Sequence, residues 1–203
     1  MAAGSRKESQ KSADKKYELA MHAMFSLAEL GFARINLRDI AVRSGVSLGV
    51  IHYYFANKTE LLIYCVSVYK EEFIADSKTL IEQAEHPGRL LAAFADFLSD
   101  TLERHAHLHR LWYDARAQAL FDPAFQPVVT ELESLLADMF HVLAAKMRSL
   151  GVGYAHADPL RLYIAIDGWF RYFLQQKLNG DETAAATLRV RTLEEFCTAF
   201  PGA

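Results

Sequence analysis

The chain has 203 residues, 52% hydrophobic and 23% charged, with a formal charge of −3. That length and balance suit one large or two small globular domains, and they exclude a disordered tail or a collagen-like rod. Its two cysteines, Cys65 and Cys197, lie far apart and in no CxxC spacing, which indicates neither a disulfide framework nor a cysteine zinc site and fits a reducing cytoplasm.

Residues 1–13 are small, polar and charged, without the apolar core of a secretory signal, and read as a flexible basic arm. Apolar runs such as 90–95 and 162–166 stop far short of the about 18–20 residues needed to span a bilayer, so no membrane partner is expected. Charge is unevenly spread. Residues 1–60 hold nine Lys and Arg against six Asp and Glu, whereas 61–203 hold thirteen against nineteen. A basic head on an acidic body meets a polyanion with one end only.

Few prolines and glycines punctuate the chain, no run alternates with period two, and the long segments between them carry helical periodicity, so the fold is expected to be all-α. A first helix over 14–31 lines up Leu19, Ala20, Ala23, Met24, Leu27 and Ala28, with Gly31 placed as a left-handed terminator. Asn36 caps a short helix from Leu37 to Ser44, and Gly45-Val46-Ser47 turns into a third, Leu48 to Phe55. Asn57 caps a long fourth helix, with Glu60 three residues on as in a capping box. Further helices are predicted over 89–106, 108–120, 127–150, 158–179 and 183–200, about nine in all.

Two short helices joined by a glycine-containing turn, in a basic region, have the form of a helix-turn-helix. The second carries Leu48, Val50, His52, Tyr53 and Tyr54, more rings and donors than so short an element can bury. On a DNA duplex such groups reach phosphate oxygens and thymine methyls, and Lys58 adds a charge-assisted phosphate contact.

The stretch NLRDIAVRSGVSLGVIHYYFANKTELL, 36–62, resembles the DNA-binding signature of TetR-family transcriptional regulators. Arg38, Ile40, Ala41, Gly45, Val46, Ser47, Gly49, Ile51, Tyr54, Phe55, Lys58, Leu61 and Leu62 fall at the family's positions, and Gly31-Phe32 matches its usual glycine-aromatic pair. His52 departs from the common tyrosine. The resemblance implies that Asn36 touches phosphate and that Arg38 reaches a base edge or the backbone. It also implies that Ser47, Leu48, Val50, His52 and Tyr53 line the major groove, with Tyr54 and Lys58 on phosphates. It further implies an all-α architecture of a three-helix helix-turn-helix domain, 14–60, and a helical ligand-binding and dimerisation domain, 61–203.

The family's function then implied is a repressor, bound as a homodimer to a palindromic operator and released by a small-molecule effector, in a bacterial, nucleoid-associated cytoplasmic setting. Segment 158–179 is apolar on nearly every side, which independently calls for burial against its own chain and against a second subunit. Leu188, Leu193, Phe196 and Phe200 offer a second stripe, so the dimer is expected through residues about 158–200. Phe94, Phe97, His105, His109, Trp112, Tyr113, Arg116, Phe140 and Trp169 mix aromatic walls with a few donors, the composition of an effector cavity. The same residues equally suit core packing. His105 and His109, at i and i+4, share a helix face on which a metal would fit, but no acidic residue follows at a matching spacing, and capping or solvated histidines are the simpler reading. The sequence holds no phosphate loop, nucleophile elbow or dinucleotide fingerprint, and so proposes no cofactor and no enzyme. The competing reading is an all-α ligand-binding or catalytic bundle whose N-terminal helices serve as a protein-docking module.

Overall fold

A computed structural model describes residues 2–31, 34–155 and 158–203, apart from the side chains of 2–9 and of Ala28. Phe32 of the glycine-aromatic pair, and the Ala28 side chain of the first helix's stripe, therefore lie outside the described residues. Eight helices follow one another among those described: α1 (Ala2–Leu30), α2 (Leu37–Arg43), α3 (Leu48–Tyr54), α4 (Lys58–Gln83), α5 (Pro87–Gln118), α6 (Gln126–Ser149), α7 (Leu160–Leu178) and α8 (Ala184–Ala199).

The count differs from the nine expected because 89–106 and 108–120 form one helix. It is bent at His105, whose φ of −128° and ψ of 22° leave the helical region. The first helix also extends backwards, so the backbone of 2–13, read from sequence as a flexible arm, continues α1. Its Ala, Lys, Glu and Gln are good helix formers, and a turn already docked by Leu19, Ala23 and Leu27 makes each further turn cheap to add.

Local chemistry sets the short elements. Asn36 Oδ1 accepts from Asp39 N–H at 2.9 Å to start α2, and Ser47 Oγ accepts from Val50 N–H at 3.4 Å to start α3. Between them Gly45 takes a φ of +63°, and Val46 N–H returns to Ala41 C=O at 3.0 Å, closing the turn. Ile40, Ala41, Ile51 and Phe55 are buried where α2 and α3 meet α1.

The head is fastened to the body through α1 and α4. Asn57 Oδ1 accepts from Glu60 N–H at 2.9 Å, while Glu60 accepts from Ala56 N–H at 2.9 Å and from Lys16 Nζ at 3.3 Å. Lys16 Nζ also lies 4.9 Å from both the Phe55 and the Tyr64 ring centres. Farther along, Tyr17 donates to Glu72, Cys65 Sγ–H to Ala20 C=O, and Arg110 to Glu29 C=O. Burial pushes the Cys65 thiol up to about 12, so it packs as a small hydrophobe. Among the described residues no helix is long and apolar enough to cross a membrane.

In the body, α4–α8 bury one continuous core. The expected stripe of α8 is turned inward: Leu188, Phe196 and Phe200 are buried in their own chain, and Leu193 packs half-buried against the same core. That leaves Leu188, Phe196 and Phe200 no surface to offer a second copy, because α8 needs these groups to close the bundle over α5 and α7.

Candidate nucleic-acid interface and effector cavity

In the head, α2 and α3 pack on each other and each presents exposed side chains. On α2, Arg38 and Val42 stand one turn apart and are both exposed; on α3, Gly49, His52 and Tyr53 share a face, exposed as well. Tyr53 is 77% and Val42 76% exposed, so neither is spent on the chain's own core. Arg38 makes no hydrogen bond or ion pair with another described residue, unlike Arg43, held by Glu29 at 3.0 Å, and Lys16, turned inward. Its five N–H donors are therefore presented to solvent.

The remaining residues proposed from sequence fall into two groups. Asn36 and Ser47 are exposed and spend one oxygen on their caps, which leaves the Asn36 amide N–H₂ and the Ser47 hydroxyl hydrogen as donors. Leu48, Val50 and Tyr54 are half-buried and packed against the core, and Lys58, the first residue of α4, is half-buried too. Tyr53 meets Tyr54 edge-on, with ring centres 4.9 Å apart. Two features escaped sequence reading. Val42 sits four residues after Arg38 and so shares its face. Lys11 and Lys15 of α1 border a groove whose other wall is Tyr53 and Tyr54, because the helix carries the supposed arm alongside α3.

In the body a cavity of about 40 Å³ opens between α4, α5, α6 and α7. His109, Trp112, Tyr113 and Phe140 line it together with Lys70, Phe73, Tyr163, Asp167 and Phe170. The other residues proposed from sequence lie elsewhere. Phe94 and Phe97 form a layer behind it, Phe94 against Phe140 and Phe196 at 5.9 and 5.8 Å, and Phe97 against Phe73 at 5.1 Å. Trp169 ties α7 to α8, donating to Glu195 at 3.0 Å under the Arg191 guanidinium. His105 is exposed at the bend, on a surface hollow with Phe25 and His107, while His109 is buried, so the two imidazoles do not share a site.

Arg116 closes one end of the region as an ionic hub. It pairs with Glu133 at 2.6 Å and Asp167 at 2.8 Å, while Tyr113 donates to Asp167 at 2.9 Å and Tyr163 donates to Glu133. Both carboxylates are thus satisfied within the chain, and burial first, then Asp167, raises the Tyr113 phenol well above its ordinary range. Lys70 escaped sequence reading because a lysine beside two glutamates looks solvated. The signal was its place on the buried stripe Leu62, Val66, Lys70, Phe73, Ser77 and Ile81.

The sequence pattern described as bacterial regulatory proteins, tetR family, matches residues 22–65. The chain is similar to the HTH-type transcriptional regulator BetI of Cronobacter sakazakii, 29% identical over 165 residues, covering 78% of this chain and 79% of that protein. In structure it is similar to a TetR transcription regulator from Haloarcula marismortui, with a TM-score of 0.78 at 18% identity, over 93% of this chain and 99% of the other. It is likewise similar to the transcriptional regulator FadR from Bacillus subtilis in complex with stearoyl-CoA, with a TM-score of 0.73 at 18% identity, over 88% and 95% of the two chains.

Proposed function

We propose that the chain is a member of the TetR family of bacterial regulatory proteins, whose pattern its residues 22–65 match, and that it is a transcriptional repressor released from a palindromic operator by a small molecule lodged between α4 and α7. The observation that carries this reading is the exposure of Arg38, Val42, His52 and Tyr53 on the two short helices, donors and rings that make no hydrogen bond or ion pair with another described residue. A duplex supplies what they lack: base edges for Arg38 and His52, a thymine methyl for Val42, phosphate or base for Tyr53. Asn36, Ser47, Tyr54 and Lys58, with Lys11 and Lys15, would flank it on the backbone. The complex of FadR with stearoyl-CoA supports a body that takes a small molecule.

A homodimer is part of the proposal. Leu160, Ile164, Gly168 and Tyr172 follow one another at intervals of four on α7, all exposed, and Val190 on α8 adds to them. Two heads related by a two-fold axis read half-sites about 34–36 Å apart or a somewhat larger span. The protein would act in a bacterial cytoplasm, at the nucleoid, as a regulator and not an enzyme.

Selection from a random duplex pool tests this. A palindrome should emerge, bound with log affinity falling against log salt by about 0.9 for each phosphate contacted. Arg38→Ala should weaken binding by about 1–3 kcal/mol and relax one base position, whereas Lys58→Ala should weaken all sequences alike and flatten the salt slope. A protein-docking module would instead enrich no sequence.

A further inference from the structure

The cavity holds two buried polar groups that the chain leaves unanswered. Lys70 is only 4% exposed, and its Nζ lies 4.7 Å from the Phe73 ring centre and 5.5 Å from that of Trp112. No hydrogen bond or ion pair joins it to another described residue. Ring faces soften the loss of water but do not replace a counter-ion. His109, fully buried, has its Nε2 2.8 Å from the Tyr69 hydroxyl, while its Nδ1 has no partner among the described residues. The Tyr69 phenol has no other acceptor among the described residues, so it is assigned as the donor to Nε2, which puts the proton of the neutral imidazole on Nδ1.

Both unpartnered groups are therefore donors, and both line one cavity. The carboxylates of the neighbourhood, Asp167 and Glu133, are taken up by Arg116 and by tyrosine hydroxyls. What is missing is an acceptor bearing negative charge, inside walls that are otherwise apolar.

Resting on the reading of this cavity as the effector site, we infer that the effector is an organic carboxylate with an apolar body. Its carboxylate is held by Lys70 Nζ and His109 Nδ1–H, and its body lies against Phe73, Phe140 and Phe170. The space of about 40 Å³ is water-sized, so the ligand must push the bundle open, and Met139 in the lining is unbranched and flexible enough to yield. Burial also lowers the Lys70 ammonium to about 7, as expected of a cation whose counter-ion arrives with the ligand.

Calorimetric titration of the full-length protein with octanoate, benzoate and 1-naphthoate, each paired with its primary alcohol, tests the inference. At least one carboxylate should bind ten-fold or more tightly than its alcohol. Lys70→Met, close in length and free of the buried charge, should erase that preference while still binding the alcohol, and Lys70→Gln should do the same if the methionine variant folds poorly. Equal affinity for acid and alcohol, an undiminished preference in both variants, or no binding of any acid overturns it. A gel shift with the selected operator separates the two readings. Operator binding without carboxylate preference sinks only the ligand class, whereas carboxylate binding that leaves the operator complex intact upholds the site and sinks its role as effector.

Discussion

Lys70 makes the stability of the body depend on pH in a direction opposite to that of an ordinary surface lysine. Its folded value of about 7 lies below the about 10.4 of an unfolded chain, so between those limits the unfolded state binds more protons and stability rises with pH. Below about pH 7 the penalty is complete, on the order of several kcal/mol for a shift of this size. Urea unfolding should therefore find Lys70→Met more stable than the natural chain at pH 7, with the gap closing as pH approaches 10. A constant gap would mean that Lys70 is already compensated. His109 works in the acid range. Burial first, and then the Lys70 charge, hold it neutral well below its ordinary value, so its contribution is present above about pH 6.5 and is lost as the solution acidifies. Neither group announced itself in the sequence as a pair, since 39 positions separate them and only the packing of α4 on α5 joins them.

The short helices were legible because their starts are settled within three residues. Asn36, Ser47 and Asn57 each cap a helix through the backbone N–H three positions on, and Gly45 sits where only a positive φ closes the turn. A Cβ at Gly45 would meet nothing within 4 Å, so crowding plays no part and the left-handed backbone alone is at stake. Gly45→Ala should cost about 1–2 kcal/mol in thermal unfolding and lower operator affinity by loosening α2 against α3. Asn57→Ala should cost about 1 kcal/mol for the lost cap at the joint of head and body. The extent of α1 and the union of α5 were not legible. Residues 2–13 have helix-forming composition but no apolar stripe to betray it, and the bend at His105 breaks the helical dihedrals of one residue, too little to end the helix. The cavity was only half legible for a similar reason: its walls come from four helices, and sequence periodicity marks which residues turn inward but not which meet there.

At the scale of the whole molecule, α4 is the element common to both proposed sites. Lys58 at its start and Lys70 in the cavity are twelve residues apart, about 18 Å along the axis. A ligand that widens a water-sized cavity must displace α4 or the helices facing it, and the Lys16–Glu60 and Cys65–Ala20 contacts are the links through which such a shift would reach α1 and the head. In a dimer the shift changes the distance between two recognition helices, and linkage requires operator to weaken ligand binding by the same factor that ligand weakens operator binding.

That coupling needs two heads held by one interface, for which we propose the stripe of Leu160, Ile164, Gly168 and Tyr172. Ile164 is 62% and Tyr172 56% exposed, and Gly168 has no atom within 4 Å of where a Cβ would stand, so a second helix meets apolar edges flanking a flat centre. Burying this face twice removes the apolar surface that α7 presents to water, whereas the inward-turned Leu188 and Phe196 of α8 contribute nothing to it. Ile164→Glu with Tyr172→Glu places like charges opposite one another across a two-fold axis without disturbing the buried side of the helix. Sedimentation should then report a monomer with unchanged helical content. Operator affinity should fall to that of a half-site, because the second head no longer binds at the effective concentration its tether supplies. Retention of the dimer by the double variant would place the subunit interface on another face.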